Sequence, residues 1–273
     1  MRRAGAAPAL ALLVLAGACG GGGSSSTPSS PSSPSAPTIP LSTACGVLGP
    51  AISGATAIVN GAECSTAGSA VVLLNMKDGG GQQIGSCSGT VIAPKAILTA
   101  AHCLPAATAA VNVFLGSGPQ QISQSFAPHP SWREANNTAF DAAVVLMPEA
   151  IGRAPVPLLL SRDARVGENA ILAGWGKDSL AGVTSTLRAG VTTITGVTAL
   201  TLQTTSSTTA SAVCQGDSGG AILLSEGGVW AVAGVISANS TLACSFGDNF
   251  YSNLRNPDIS SFVLDRVPDA ARR

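Results

Sequence analysis

The feature that most constrains this chain is a long series of short apolar runs, each closed by a turn signal. Runs at 71–74, 89–92, 96–98, 111–115, 142–147, 170–173, 191–197, 221–224 and 229–236 are rich in Val, Ile, Leu and Ala, and clusters containing Gly, Pro or Asn separate most of them. Long amphipathic helices are hard to find, and many short strands at regular spacing read as a sandwich or a barrel. The 32 glycines and 17 prolines supply the turns such a fold needs. At 273 residues the chain can form one large domain or two small ones and can bury a sizeable core. Residues 260–267 are expected to form a short helix near the end. No internal repeat is visible.

Charge excludes several function classes. Only 10% of the residues are charged and the formal net charge is zero. No basic run suggests nucleic acid, and no acidic tail suggests a polyelectrolyte partner. A monomer with no nucleic-acid partner is expected.

The N-terminus reads as an export signal. A basic start at Arg2 and Arg3 precedes an apolar run at 9–15, too short to span a bilayer. Ala16, Gly17, Ala18 and Cys19 follow, and they resemble a bacterial lipobox, in which the cysteine is lipidated. An ordinary signal peptide cleaved after Ala18 fits the same residues. Residues 20–40 are nearly all Gly, Ser, Pro and Thr, a composition that cannot bury apolar surface and acts as a tether. The expected organisation is a signal peptide at 1–18, a tether at 19–40, a transition segment at 41–57 and a strand-rich domain at 58–267. The protein is then exported, either held at the cell envelope by a lipid on Cys19 or released. A membrane partner enters only through that lipid.

Seven cysteines and two histidines, His102 and His129, form no Cys-x-x-Cys pair and no His/Cys cluster with zinc spacing, so neither a metal nor another cofactor is expected. The odd cysteine is Cys19, which already has a separate role.

Three segments carry chemistry. Hydrolysis of an amide needs a nucleophile, a base to activate it, a group to orient the base and donors for the oxyanion. Cys-Gln-Gly-Asp-Ser-Gly-Gly at 214–220 sets a serine among glycines, whose backbone can approach a substrate closely. Thr-Ala-Ala-His-Cys at 99–103 supplies a histidine. Phe-Asp-Ala-Ala-Val-Val-Leu at 140–146 supplies an acid at the start of an apolar strand. Each has a bland reading: Gly-Asp-Ser-Gly is commonly a turn, His102 could be structural, and Asp141 could cap a strand. His129 competes as a base, although His-Pro at 129–130 reads better as a turn.

Taken together, these segments resemble the chymotrypsin/trypsin family. The resemblance extends from residue 58 to about 267. It also includes Ile-Val-Asn-Gly at 58–61, Cys-Ser-Gly-Thr at 87–90 and Gly-Trp-Gly at 174–176. It implies an all-β fold of two six-stranded antiparallel β-barrels, with the active site in the cleft between them and a short C-terminal helix. It implies a serine endopeptidase in which Ser218 attacks the carbonyl, His102 transfers the proton and Asp141 orients the imidazole. The backbone N–H groups of Gly216 and Ser218 then form the oxyanion hole. The family's disulfides map to Cys87–Cys103 and Cys214–Cys244. Cys64 stands where the family often has a cysteine, but that cysteine's usual partner is missing here, so Cys64 is paired with Cys45.

Departures from the family pattern bear on specificity. The position that sets the charge at the pocket base is Ala212, followed by Val213, so the acid that selects Lys or Arg is absent. Ser237 and Asn239 on one strand and Asn249 on the next occupy the pocket walls, where the family usually has glycines, and should narrow the pocket. Small or medium apolar side chains are then preferred before the cleaved bond. In the family, cleavage before the Ile-Val box frees an amine that pairs with the acid preceding the nucleophile. Here these are Ile58 and Asp217, and the bond is Ala57–Ile58. In the alternative, no cut occurs and another cation serves Asp217. A catalytically silent binding module and a serine esterase on the same fold are the competing functional readings.

Overall fold

The computed structural model describes residues 38–273, apart from 49–50, 57, 137, 178–185 and 242–243, with the backbone alone for 51–56. The expected signal peptide, Cys19, most of the expected tether and Ala57 lie outside the described residues. The described part is mostly β. Among the described residues no helix is long and apolar enough to cross a membrane.

Six strands close into a barrel. In spatial order they are Arg188–Val197, Asn169–Gly174, Ala221–Glu226, Val229–Asn239, Asp248–Asn253 and Thr201–Thr205, and the last pairs back to the first. Ala62–Cys64 adds to the edge of Arg188–Val197, and Ala51–Thr56 adds beyond it. The other sheet has seven strands and is curled but not closed. Its order is Gln121–Ile122, Ala110–Phe114, Val71–Lys77, Gln83–Ala93, Ala96–Thr99, Ala143–Leu146 and Ser125–Pro128. The two-barrel expectation therefore holds, with the first barrel as an open half.

Period-two alternation lets one strand serve two cores. Along Ala221–Glu226, Ile222 and Leu224 join Leu172, Ile194, Leu202 and Tyr251 inside the closed barrel. Ala221 and Leu223 face the opposite way, into the larger core shared with Ile97, Val145 and Trp175. Strands buried on both faces read as continuous apolar runs, which is the texture of the sequence.

The expected C-terminal helix spans Pro257–Arg266. Asn256 caps it by accepting from the N–H groups of Asp258 and Ile259, and Pro257 occupies the first turn, where a missing N–H costs nothing. The segment ahead of residue 58 contains a second helix, Leu41–Leu48, which buries Ala44, Cys45 and Leu48. Its Cys45 is bonded to Cys64 on the edge strand. Cys87–Cys103 and Cys214–Cys244 complete three disulfides.

Candidate active site

Strand register brings the acid to the base. Ala96–Thr99 pairs antiparallel with Ala143–Leu146, with Thr99 opposite Ala143. The residues just past one strand's end therefore face those just before the other's start. His102 sits on the short 3-10 turn Ala101–Cys103 after the first strand, and Asp141 lies two residues before the second. Asp141 is fully buried and takes three hydrogen bonds. Its Oδ1 accepts from His102 N at 2.9 Å, and its Oδ2 faces His102 Nδ1 at 2.7 Å. Ser237 Oγ donates to the same Oδ2 at 2.5 Å. With Nδ1 donating to the carboxylate, Nε2 is left as the acceptor, the tautomer a general base requires. Phe140 holds φ at +56°, which turns the chain so that Ala142 N–H bonds back to Phe140 C=O and the carboxylate points inward.

Ser218 lies in a tight turn before the strand Ala221–Glu226. Asp217 N–H donates to Cys214 C=O, and Gly220 N–H donates to Asp217 C=O. Gly219 (φ +80°) packs so closely that a Cβ there would overlap Thr99 Oγ1 and the Ser88 carbonyl. Gly216 has φ +95°, and among the described residues its N–H has no hydrogen-bond partner. No hydrogen bond joins Ser218 Oγ to His102 Nε2 among the described residues. Both side chains border cavities that share Ser237 as a wall. Catalytic contacts of this kind often tighten only with substrate bound.

A cavity of about 140 Å³ beside Ser218 is lined in part by Val213, Ser237, Asn239 and Thr241. Ala212 and Asn249 are fully buried. Ala212 bridges to Val59. Asn249 pairs with Asn239 across adjacent strands and anchors it from within. Ser237, read from the sequence as a pocket wall, also supplies a donor to Asp141. That second role has no local signal, because the two residues stand 96 positions apart.

Asp217 is fully buried. Gly176 N–H donates to its Oδ1 at 2.7 Å and Cys214 N–H to its Oδ2 at 2.9 Å. Burial pushes its carboxyl up to about 7, against the pull of those two N–H groups and of the Arg188 charge. Ile58 is buried in the closed barrel's core, and its φ of +50° is unusual for a β-branched residue. His129 stands apart from the cleft residues. It is buried between Phe140, with ring centroids 5.0 Å apart, and Phe262 at 4.8 Å, and its Nδ1 accepts from Ser131 N–H. These contacts give it a structural place. Cys87, His102 and Cys103 gather three ligand-type atoms, but the two sulfurs are bonded to each other and so are not thiolates for a metal.

The protein-family model described as Trypsin matches residues 58–256. Phenoloxidase-activating factor 3 of Holotrichia diomphalia is 29% identical over an alignment covering 38% of this chain and 38% of that protein. The chain thus spans well under half the length of this curated relative. The solved structure of HL collagenase superposes with a TM-score of 0.64 at 22% identity, covering 77% of this chain and 98% of that one.

Proposed function

Starting from a chain that belongs to the trypsin family and is a chymotrypsin-like serine protease, we propose that it is an exported endopeptidase with Ser218, His102 and Asp141 as its triad. The observation that carries this reading is the buried Asp141 carboxylate, which grips both the backbone and the ring of His102. Ser218 Oγ attacks the substrate carbonyl carbon while His102 Nε2 accepts its proton. The tetrahedral oxyanion is held by the N–H groups of Gly216 and Ser218. The proton then passes to the leaving amine, leaving an acyl-Ser218 ester that water hydrolyses. Each oxyanion donor is worth about 3 kcal/mol in the transition state. The small cavity walled by Asn239 supports cleavage after small or medium apolar residues. Among the described residues no acid lines this cavity, so a Lys or Arg side chain would be buried there without a counter-charge.

Cutting Ala57–Ile58 activates the chain. The cut abolishes the φ constraint on Ile58, a left-handed conformation that costs an L-residue about 1–2 kcal/mol. The freed amine pairs with Asp217. Cys45–Cys64 keeps the leading segment attached afterwards. Lipid on Cys19 anchors the whole as a bacterial lipoprotein, and the three disulfides suit an oxidising compartment outside the cytoplasm.

The test is a serine-directed fluorophosphonate together with a peptide substrate. The parent chain is expected to take the label and cleave the peptide, and Ser218→Ala to do neither while staying folded. Near-normal peptidase activity in Ser218→Ala would overturn the assignment. N-terminal sequencing of active, reduced protein should find Ile58 as a start, and intact-mass analysis should find acyl mass on Cys19.

A further inference from the structure

Ser88 lies on the strand Gln83–Ala93 of the open sheet and is fully buried, yet its polar atoms reach across to the closed barrel. Its N–H donates to Ser218 C=O at 2.7 Å. Its hydroxyl accepts from Trp175 N–H and donates to Gly216 C=O, both at 2.8 Å. That direction is forced, because an amide N–H only donates and a carbonyl only accepts. Its own carbonyl is held by Thr99 Oγ1 at 2.8 Å. One residue therefore touches both residues whose N–H groups are assigned to the oxyanion, Gly216 through its hydroxyl and Ser218 through its backbone N–H.

We propose that Ser88 is a positioning residue for the oxyanion hole, acting through the Gly216 peptide. The inference rests on the proteolytic reading above. Gly216 has no Cβ and sits at φ +95°, so its backbone is free to rotate unless both flanking peptides are pinned. The preceding peptide is held through Gln215 C=O, which accepts from Lys177 N–H at 2.9 Å. In a trans peptide the N–H points opposite to the C=O, so this bond turns the Gly216 N–H away from Lys177. The following peptide is held at its C=O by Ser88 Oγ and at its N–H, which belongs to Asp217, by Cys214 C=O. Without that hydroxyl, Gly216 C=O and Trp175 N–H lose their partner together, and the Gly216 N–H is aimed less firmly, with only the Asp217–Cys214 bond left on that side.

The experiment compares an ester substrate with its thionoester in the full chain and in Ser88→Ala. Sulfur is a poor acceptor for oxyanion donors, so the ratio of the two kcat/KM values reports how well the hole is formed. Ser88→Ala is expected to lower ester kcat about tenfold with KM nearly unchanged, and to shrink the ester-to-thionoester ratio by a similar factor. Ser88→Thr, which keeps the hydroxyl, should restore the ratio. A merely structural defect lowers both substrates equally, and an unchanged ratio in Ser88→Ala overturns the proposal. Should Ser88→Ala not fold, Ser88→Cys keeps a side chain of nearly the same shape with a far weaker donor and is read by the same ratio. If the parent chain hydrolyses neither substrate and takes no fluorophosphonate, the proteolytic reading itself fails and takes this proposal with it.

Discussion

Asn239 Nδ2 donates to Asn249 Oδ1 at 2.8 Å, tying together two adjacent strands beside Ser218. The same Oδ1 accepts from Val213 N–H at 3.3 Å, while Asn249 Nδ2 donates to Thr204 and Ser206. Asn249 is thus satisfied from several sides, and it holds Asn239 against the cavity. Asn239→Gly should open that cavity while leaving Asn249 hydrogen-bonded. Preference before the cleaved bond is expected to move from Ala or Val towards Leu and Phe by about tenfold or more, the scale of one or two methylenes in an apolar pocket. Profiling both proteins against a peptide library checks this, and identical profiles would show that Asn239 does not limit the pocket.

Ser237 is the third donor to the Asp141 carboxylate. A hydrogen bond to a charged group contributes about 1.5–3 kcal/mol. Ser237→Ala should leave the fold intact, because the site is small and the backbone unstrained, and lower kcat/KM by about tenfold through a less rigid Asp141–His102 pair. Steady-state kinetics alongside thermal unfolding separates the two effects. Unaltered kcat/KM would mean that His102 alone orients the acid.

The continuous chain should carry a pH signature from Asp217. Burial raises its carboxyl to about 7 from 3.8, so the folded state keeps a proton that the unfolded state has released. The stabilisation is fully present below about pH 4 and is lost as pH rises through about 7. In an uncut Ser218→Ala background, Asp217→Asn should therefore gain stability relative to its parent between pH 4 and 8. If the proposed Ala57–Ile58 cut frees an amine that pairs with Asp217, the carboxylate is favoured and the slope should flatten. A difference in unfolding free energy independent of pH in the uncut pair contradicts this account.

His129 should contribute the opposite slope. Burial holds its imidazole below the usual 6.5, and Nδ1 is already occupied as an acceptor from Ser131 N–H. The folded state resists protonation, so this contribution is present above pH 6.5 and lost as pH falls through the depressed value. His129→Gln should unfold more easily than the parent at pH 7.5, and the gap should narrow towards pH 5. Catalysis measured at neutral pH should change little, because His129 packs on Phe140 and Phe262 rather than in the cleft. A constant gap across that range argues against a buried neutral imidazole.

Much of this protein is local in sequence. Turn residues at short intervals specify strands, and the alternation along 221–226 already contains two core faces. Seven residues around Ser218 carry the glycines their turn demands, and the order His102, Asp141, Ser218 of the proposed triad matches one of three known triad orders. The disulfide partners also follow from position once the family is seen. What tertiary structure alone decided is everything that depends on register between distant strands. It left the first sheet as an open curl of seven strands, because Gln121–Ile122 and Ser125–Pro128 at its two edges do not pair with each other. It set Ser237 Oγ on Asp141, buried Asn249 beneath Asn239, and ran the Ser88 hydroxyl between Trp175 and Gly216. A short side chain such as Ser or Asn has no periodicity to announce its partner. Its hydrogen bond is specified only when two strands, dozens of residues apart, settle into the single register that buries their apolar faces.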